Sequence, residues 1–156
     1  MDMLVTLTQL PPAATPFGLR VFRALPPNHG EILAFVRAHF SEGWAWECTQ
    51  ALCHQPSRCF IAVQENRLVG FACYDATAKG FFGPIGVDEA VRGQGVGGAL
   101  LLACLHAMES DGYGYAVIGW CDGAADFYRK AVGAIAIPDS QPSHSVYSRM
   151  IALPED

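Results

Sequence analysis

Charge is scarce in this chain. Only 16% of its 156 residues are Asp, Glu, Lys or Arg, against 51% apolar, and the formal net charge is −5. A chain with no basic excess presents no footprint for a phosphate backbone, so neither nucleic acid nor an anionic membrane is an expected partner. Long apolar runs are also missing, and no stretch reaches the ~18 residues of a membrane-spanning helix. The N-terminus shows no basic segment ahead of an apolar one, so no leader is expected and the location is read as cytoplasmic. Six cysteines are present (48, 53, 59, 73, 104 and 121), yet none forms a C-x-x-C pair. Several lie within apolar runs such as Cys59-Phe60-Ile61 and Leu102-Ala103-Cys104-Leu105. They are therefore expected to be buried free thiols, with no disulfide and no metal site.

What the chain does have is glycine, concentrated in Val87-Asp88-Glu89-Ala90-Val91-Arg92-Gly93-Gln94-Gly95-Val96-Gly97-Gly98. A strand-like run precedes this stretch and an apolar helical run to Met108 follows it. Glycines leave backbone N–H groups uncovered, and a helix start adds unpaired donors and the positive end of a macrodipole. Strand, glycine loop and helix together describe a phosphate cradle. A Walker loop is excluded, because Gly97-Gly98-Ala99 supplies neither the lysine nor the hydroxyl. The spelling Gly93-x-Gly95-x-x-Gly98 matches a dinucleotide fingerprint, with Asp122 at a suitable distance for the ribose. In that fold, however, the first glycine follows the strand almost at once, and here Asp88 to Arg92 intervene.

Along the chain, Leu4 to Thr8 alternates as an extra edge strand or an arm within residues 1–17, and residues 18–156 form the single domain expected from the length. Residues 18–25 read as a strand. Asn28 and Glu31 have capping-box spacing for a helix over residues 32–40, and Ser41 opens a second helix through Trp44, Cys48 and Leu52. Residues 59–63 and 68–74 form a hairpin around Glu65-Asn66-Arg67. The strand from Phe81 to Val87 carries Pro84, which belongs at an edge or a bulge because it cannot donate to a ladder. A helix over 95–110, a strand over 113–120, and a helix over 124–132 stopped by Gly133 follow. Residues 135–137 and 146–151 are expected to close the sheet as a hairpin.

Arg92-x-x-Gly95-x-Gly97 resembles the R/Q-x-x-G-x-G/A signature of the GNAT superfamily of acyl-CoA-dependent acetyltransferases. Ala124-x-x-Phe127-Tyr128-x-Lys130-x-x-Gly133 resembles a second segment of that family, and the order of elements over residues 18–151 is similar as well. The resemblance implies a mixed, mostly antiparallel, splayed α/β (α+β) sheet flanked by helices. It implies acetyl-CoA as cosubstrate, with the pyrophosphate held by Arg92, Gly93, Gln94, Gly95, Val96, Gly97 and Gly98, and further contacts from Ile85, Val87 and Tyr128. The acceptor would be an amine, on a small molecule or a protein. Two departures stand out. Cys121-Asp122 replaces an asparagine frequent before the last helix, and Phe81–Val87 lacks the glutamate that often serves as base.

Acetyl transfer to an amine needs a neutral nucleophile, a donor for the carbonyl oxygen, and a proton for the departing thiolate. The backbone N–H of Ile85 is the expected donor, since a bulge frees a ladder partner and Pro84 has no N–H. Tyr128 is the expected acid, because tyrosine keeps its proton at neutral pH; its alternative is a core aromatic. For the base there are candidates and no winner: Glu47, with His54, Asp75 and Asp122 as alternatives, or water, or an amine that arrives neutral. Trp44, Trp46 and Trp120 could floor an acceptor pocket. A non-catalytic acyl-CoA-binding module is the competing function. Finally, at about 100° per residue Val96, Leu100, Cys104 and Ala107 share one helix face, while Leu102 and Leu105 face away. That second apolar face needs a cover, from the N-terminal arm or from a second subunit, and the low charge content favours the subunit, so a homodimer is expected.

Overall fold

The computed structural model describes residues 1–155. Its seven strands are β1 (Met3–Thr6), β2 (Leu19–Arg23), β3 (Cys59–Gln64), β4 (Arg67–Tyr74), β5 (Phe81–Val87), β6 (Tyr115–Ile118) and β7 (Ile135–Ala136). Its helices are α1 (His29–His39), α2 (Glu42–Leu52), α3 (Val96–Ser110) and α4 (Ala125–Val132). One sheet runs in the order β2-β3-β4-β5-β6-β1-β7, and β5 with β6 is its parallel pair. The other neighbours are antiparallel, as the sequence led us to expect.

Strand alternation sorts the apolar residues into two cores. Cys59 and Ile61 of β3, with Phe71 and Cys73 of β4, face α1 and α2. Ala62 of β3, with Ala72 and Tyr74 of β4, faces α3 on the other side. This double cover explains why six successive residues of β4, Val69 to Tyr74, are all buried rather than alternating with polar ones. Ser41 caps α2 by accepting a hydrogen bond from the Trp44 N–H, as expected.

Three expectations change. The extra strand β1 lies inside the sheet, between β6 and β7, with Met3 and Val5 fully buried. The capping box at Asn28 does not form. A 3-10 turn over Pro26–Asn28 runs directly into α1, and the Pro26 carbonyl already accepts the His29 N–H. The closing hairpin is also absent. β7 pairs with β1, and the Ile137 N–H donates to the Asp2 carbonyl, so β1 takes the place the hairpin partner would have held. Val146–Arg149 is instead a 3-10 turn capped by Ser145.

α3 is apolar nearly all round; Leu105 is buried within the chain, while Leu102 is half-buried. Leu7, fully buried, and Leu10 pack into the α3 core, and the His106 ring nitrogen meets the Pro11 carbonyl at 2.7 Å. The N-terminal arm thus covers part of the second apolar face.

Candidate functional site

The site begins where β5 and β6 part. They pair at Phe81–Val117 and Phe82–Ile118, and the ladder stops there because Gly83 and Pro84 follow. On the other side of β5, the register against β4 shifts between Ala72 and Tyr74, the bulge that the proline required. Beyond it, the Asp88 N–H donates to the Val69 carbonyl at 2.8 Å. Alternation along an antiparallel ladder then makes Phe71–Gly86 a hydrogen-bonded pair, and Ala72–Ile85 and Gly70–Val87 non-bonded pairs. The N–H groups of Ile85 and Val87 therefore point away from β4, into the gap that β6 has left.

That gap is the floor of a cleft of about 1310 Å³. The N-terminus of α3 forms one end. Gly95 holds φ at 83°, a left-handed turn natural to glycine, and the Ala99 N–H is the first to find a carbonyl, that of Gly95. The N–H groups of Val96, Gly97 and Gly98 precede the first helical bond and are free for an anion. Arg92 folds back so that its Nε donates to the Val87 carbonyl at 3.2 Å, which fixes the stem of an exposed guanidinium beside the loop. Arg92, Gly93, Gly95, Val96, Gly97 and Gly98 all line the cleft, whereas Gln94 is exposed outside its lining.

Tyr128, from α4, lines the cleft beside the start of β5. It is 5% exposed, its ring stands edge-on to Phe82 at 6.2 Å, and α4 sets the neighbouring Phe127 close to Gly97. Burial pushes its phenol well above the usual range, with the Cys121 thiol adding to the shift, so the group carries its proton at neutral pH.

Glu47 lines the far wall from α2. The Thr77 hydroxyl donates to its carboxylate at 2.5 Å. Burial raises its pKa and the Thr77 bond opposes the rise only in part, so Glu47 holds a proton more readily than an exposed glutamate. The other base candidates are elsewhere. Asp75 is occupied by Arg58 at 2.6 Å, the Tyr113 hydroxyl and the Gly80 N–H. Asp122 pairs with the terminal amine of Met1 at 2.7 Å, and His54 does not line the cleft. Trp44 and Trp120 line it, but Trp46 is 62% exposed away from it.

Sequence reasoning missed Thr77, Phe40 and Tyr147. Phe40 stacks on Trp44 at 5.1 Å and lies against Gly86, where any Cβ would meet its ring. Tyr147 packs its hydroxyl on Gly119 and its ring on Trp120 at 5.1 Å. Burial, then the negative charge of Glu47, pushes its phenol up. The signal available in the sequence was a pair of glycines, 86 and 119, each backing an aromatic that is distant along the chain.

A sheet opened beside a glycine loop and a helix N-terminus is the frame of an acyltransferase. The chain belongs to the acetyltransferase (GNAT) family, whose model matches residues 21–134. It is similar to a GCN5-related N-acetyltransferase from Sphaerobacter thermophilus, with 27% identity and a TM-score of 0.68 over 86% of this chain and 47% of that one. It also resembles one from Kribbella flavida, with 21% identity and a TM-score of 0.63 over 86% and 52%. A GNAT family N-acetyltransferase from Escherichia coli, solved in complex with CoA, shares the fold at 20% identity and a TM-score of 0.50, over 64% of this chain and 61% of that one. The chain spans about half the length of the first two. No curated protein matches it. Among the described residues, no helix is long and apolar enough to cross a membrane.

Proposed function

We propose that the protein moves an acetyl group from acetyl-CoA to a primary amine by direct attack of the amine on the thioester. The observation that carries this reading is the pair of inward N–H groups on Ile85 and Val87, with the protonated Tyr128 lining the same cleft. The diphosphate of the coenzyme sits on the N–H groups of α3 and beside Arg92, which runs its pantetheine arm along the open edge of β5. The Ile85 N–H then stabilises the oxyanion that forms at the carbonyl carbon. Glu47 takes the proton from the ammonium form of the amine, a step helped by a pKa raised toward the working pH. As the tetrahedral intermediate collapses, the carbon–sulfur bond breaks, Tyr128 gives its proton to the departing thiolate, and the attacking nitrogen loses its second proton, which restores the Tyr128 phenol through solvent and leaves a neutral amide.

Glu47 stands in for the strand glutamate that β5 lacks. The competing reading, a module that binds acyl-CoA without turning it over, gains support only from that missing residue. The test mixes the protein with acetyl-CoA and a panel of amines. Free thiol should appear only with an amine present, in step with an acetylated product seen by mass spectrometry. Tight coenzyme binding with no thiol from any amine would favour the binding module.

A further inference from the structure

Three of the six cysteines converge in the core under α1 and α2. Cys48 comes from α2, Cys59 from the start of β3, and Cys73 from β4 directly opposite Cys59 in the ladder. All three are fully buried, their sulfur atoms lie within 4.8 Å of one another, and Cys48 and Cys59 are 3.9 Å apart. Sulfurs bound at roughly 2.3 Å to a tetrahedral zinc stand roughly 3.8 Å from each other. No edge of the thiol triangle must therefore shorten by more than about 1 Å to match that geometry. The fourth position is not preformed: His29, at the start of α1, is not among the donor atoms that lie within 4.8 Å of one another. Its Nε2 is the one buried side-chain nitrogen or oxygen without a hydrogen-bond partner among the described residues. A buried imidazole nitrogen requires a partner, and a turn of the ring toward the sulfurs would let a bound cation supply one.

We propose that Cys48, Cys59 and Cys73 form a structural site for a thiolate-preferring divalent cation of the zinc class, with the His29 ring turning in to complete the set. Sulfur and imidazole donors select zinc over magnesium or calcium, which take oxygen. Binding forms three metal–sulfur bonds and one metal–nitrogen bond. Three thiol protons pass to solvent and no electrons move. The cation ties α2 to β3 and β4, and so steadies the wall that carries Glu47, the residue before Cys48. This site does not depend on the acetyl-transfer reading.

The full chain, kept reduced, is isolated from zinc-supplemented cells and is also refolded from denaturant with equimolar Zn²⁺, so that burial cannot block entry. Native mass spectrometry should show one zinc per chain, with a mass gain equal to the metal less the two protons that balance its charge. Cadmium in place of zinc should give a thiolate-to-metal charge-transfer band. Cys48→Ala or Cys59→Ala should remove both signals. Cys53→Ser, at an exposed position, and Cys104→Ala, in the core across the sheet, should keep them. His29→Gln should retain the cadmium band and weaken binding at least tenfold. If the cysteine variants do not fold, the wild-type chain still decides, since Zn²⁺ should raise its Tm and a chelator should reverse the rise. A wild-type chain that carries no metal by either route overturns the proposal. So does zinc retained by the Cys48→Ala, Cys59→Ala, Cys73→Ala triple variant.

Discussion

Replacing Gly98 with aspartate separates the anion seat from the stability of the helix that makes it. Gly98 is the third residue of α3, it lines the cleft, and a Cβ there meets nothing within 4 Å. It is a cleaner probe than Gly95, whose φ of 83° would strain any other residue. A carboxylate in the first turn of a helix gains about 0.3–1 kcal/mol from the macrodipole. For a domain of this size that is a rise in Tm of roughly 1–3 °C. The same carboxylate repels a diphosphate on the α3 N–H groups. At about 5 Å, with an effective dielectric constant of about 20, the repulsion is about 3 kcal/mol for each phosphate charge. If solvent and salt halve it, the remaining ~1.5 kcal/mol is still a tenfold loss of affinity per charge. Calorimetry should therefore show coenzyme A binding weakened at least tenfold, with a deficit that shrinks as salt is added. Pantetheine, which has no diphosphate, should bind as before. A folded Gly98→Asp protein with wild-type affinity for coenzyme A would refute the placement of the diphosphate.

Tyr128→Phe keeps the ring and removes the proton, so turnover should fall roughly 10²- to 10⁴-fold while calorimetric coenzyme affinity holds; unchanged turnover would leave Tyr128 as packing only. Glu47→Gln should flatten the acid limb of the rate–pH profile, because the wild-type rate should climb as pH rises through the raised Glu47 pKa and frees the base. The linked stability runs the other way. The folded state holds this proton more tightly than the unfolded chain, so stability should fall as pH rises from the unfolded toward the folded pKa. The Glu47→Gln variant should lose that slope in denaturant titrations. Gly86→Ala should cost about 1–3 kcal/mol in chemical denaturation, since the new methyl displaces the Phe40 ring; an unchanged midpoint would mean that Phe40 yields freely.

The local features of this protein were legible in its sequence. Period and punctuation marked most elements, because alternation on β3 and the glycine at 133 act over a few residues. The loop from Arg92 to Gly98 could be read as an anion seat because its chemistry belongs to backbone N–H groups that neighbouring glycines expose. Pro84 announced the break in the sheet, since a missing N–H has the same consequence in any surroundings.

Only the tertiary structure decided the rest. Residues 3–6 and 135–136 became neighbours through a register that no local pattern encodes, and β1 entered the sheet's interior on the strength of buried Met3 and Val5. Glu47 is one acid among several in the sequence, and only the fold buries it beside Thr77 in the cleft wall while pairing Asp75 with Arg58 and Asp122 with Met1. Tyr147 gained its place from packing on Gly119, which is remote from it in the chain. The cysteines at 48, 59 and 73 show no metal-ligand spacing in the chain, yet they converge because α2 lies across β3 and β4. Sequence determines what each residue can do over a turn or a strand, whereas proximity between distant residues comes from the sheet register and from which helix covers which face.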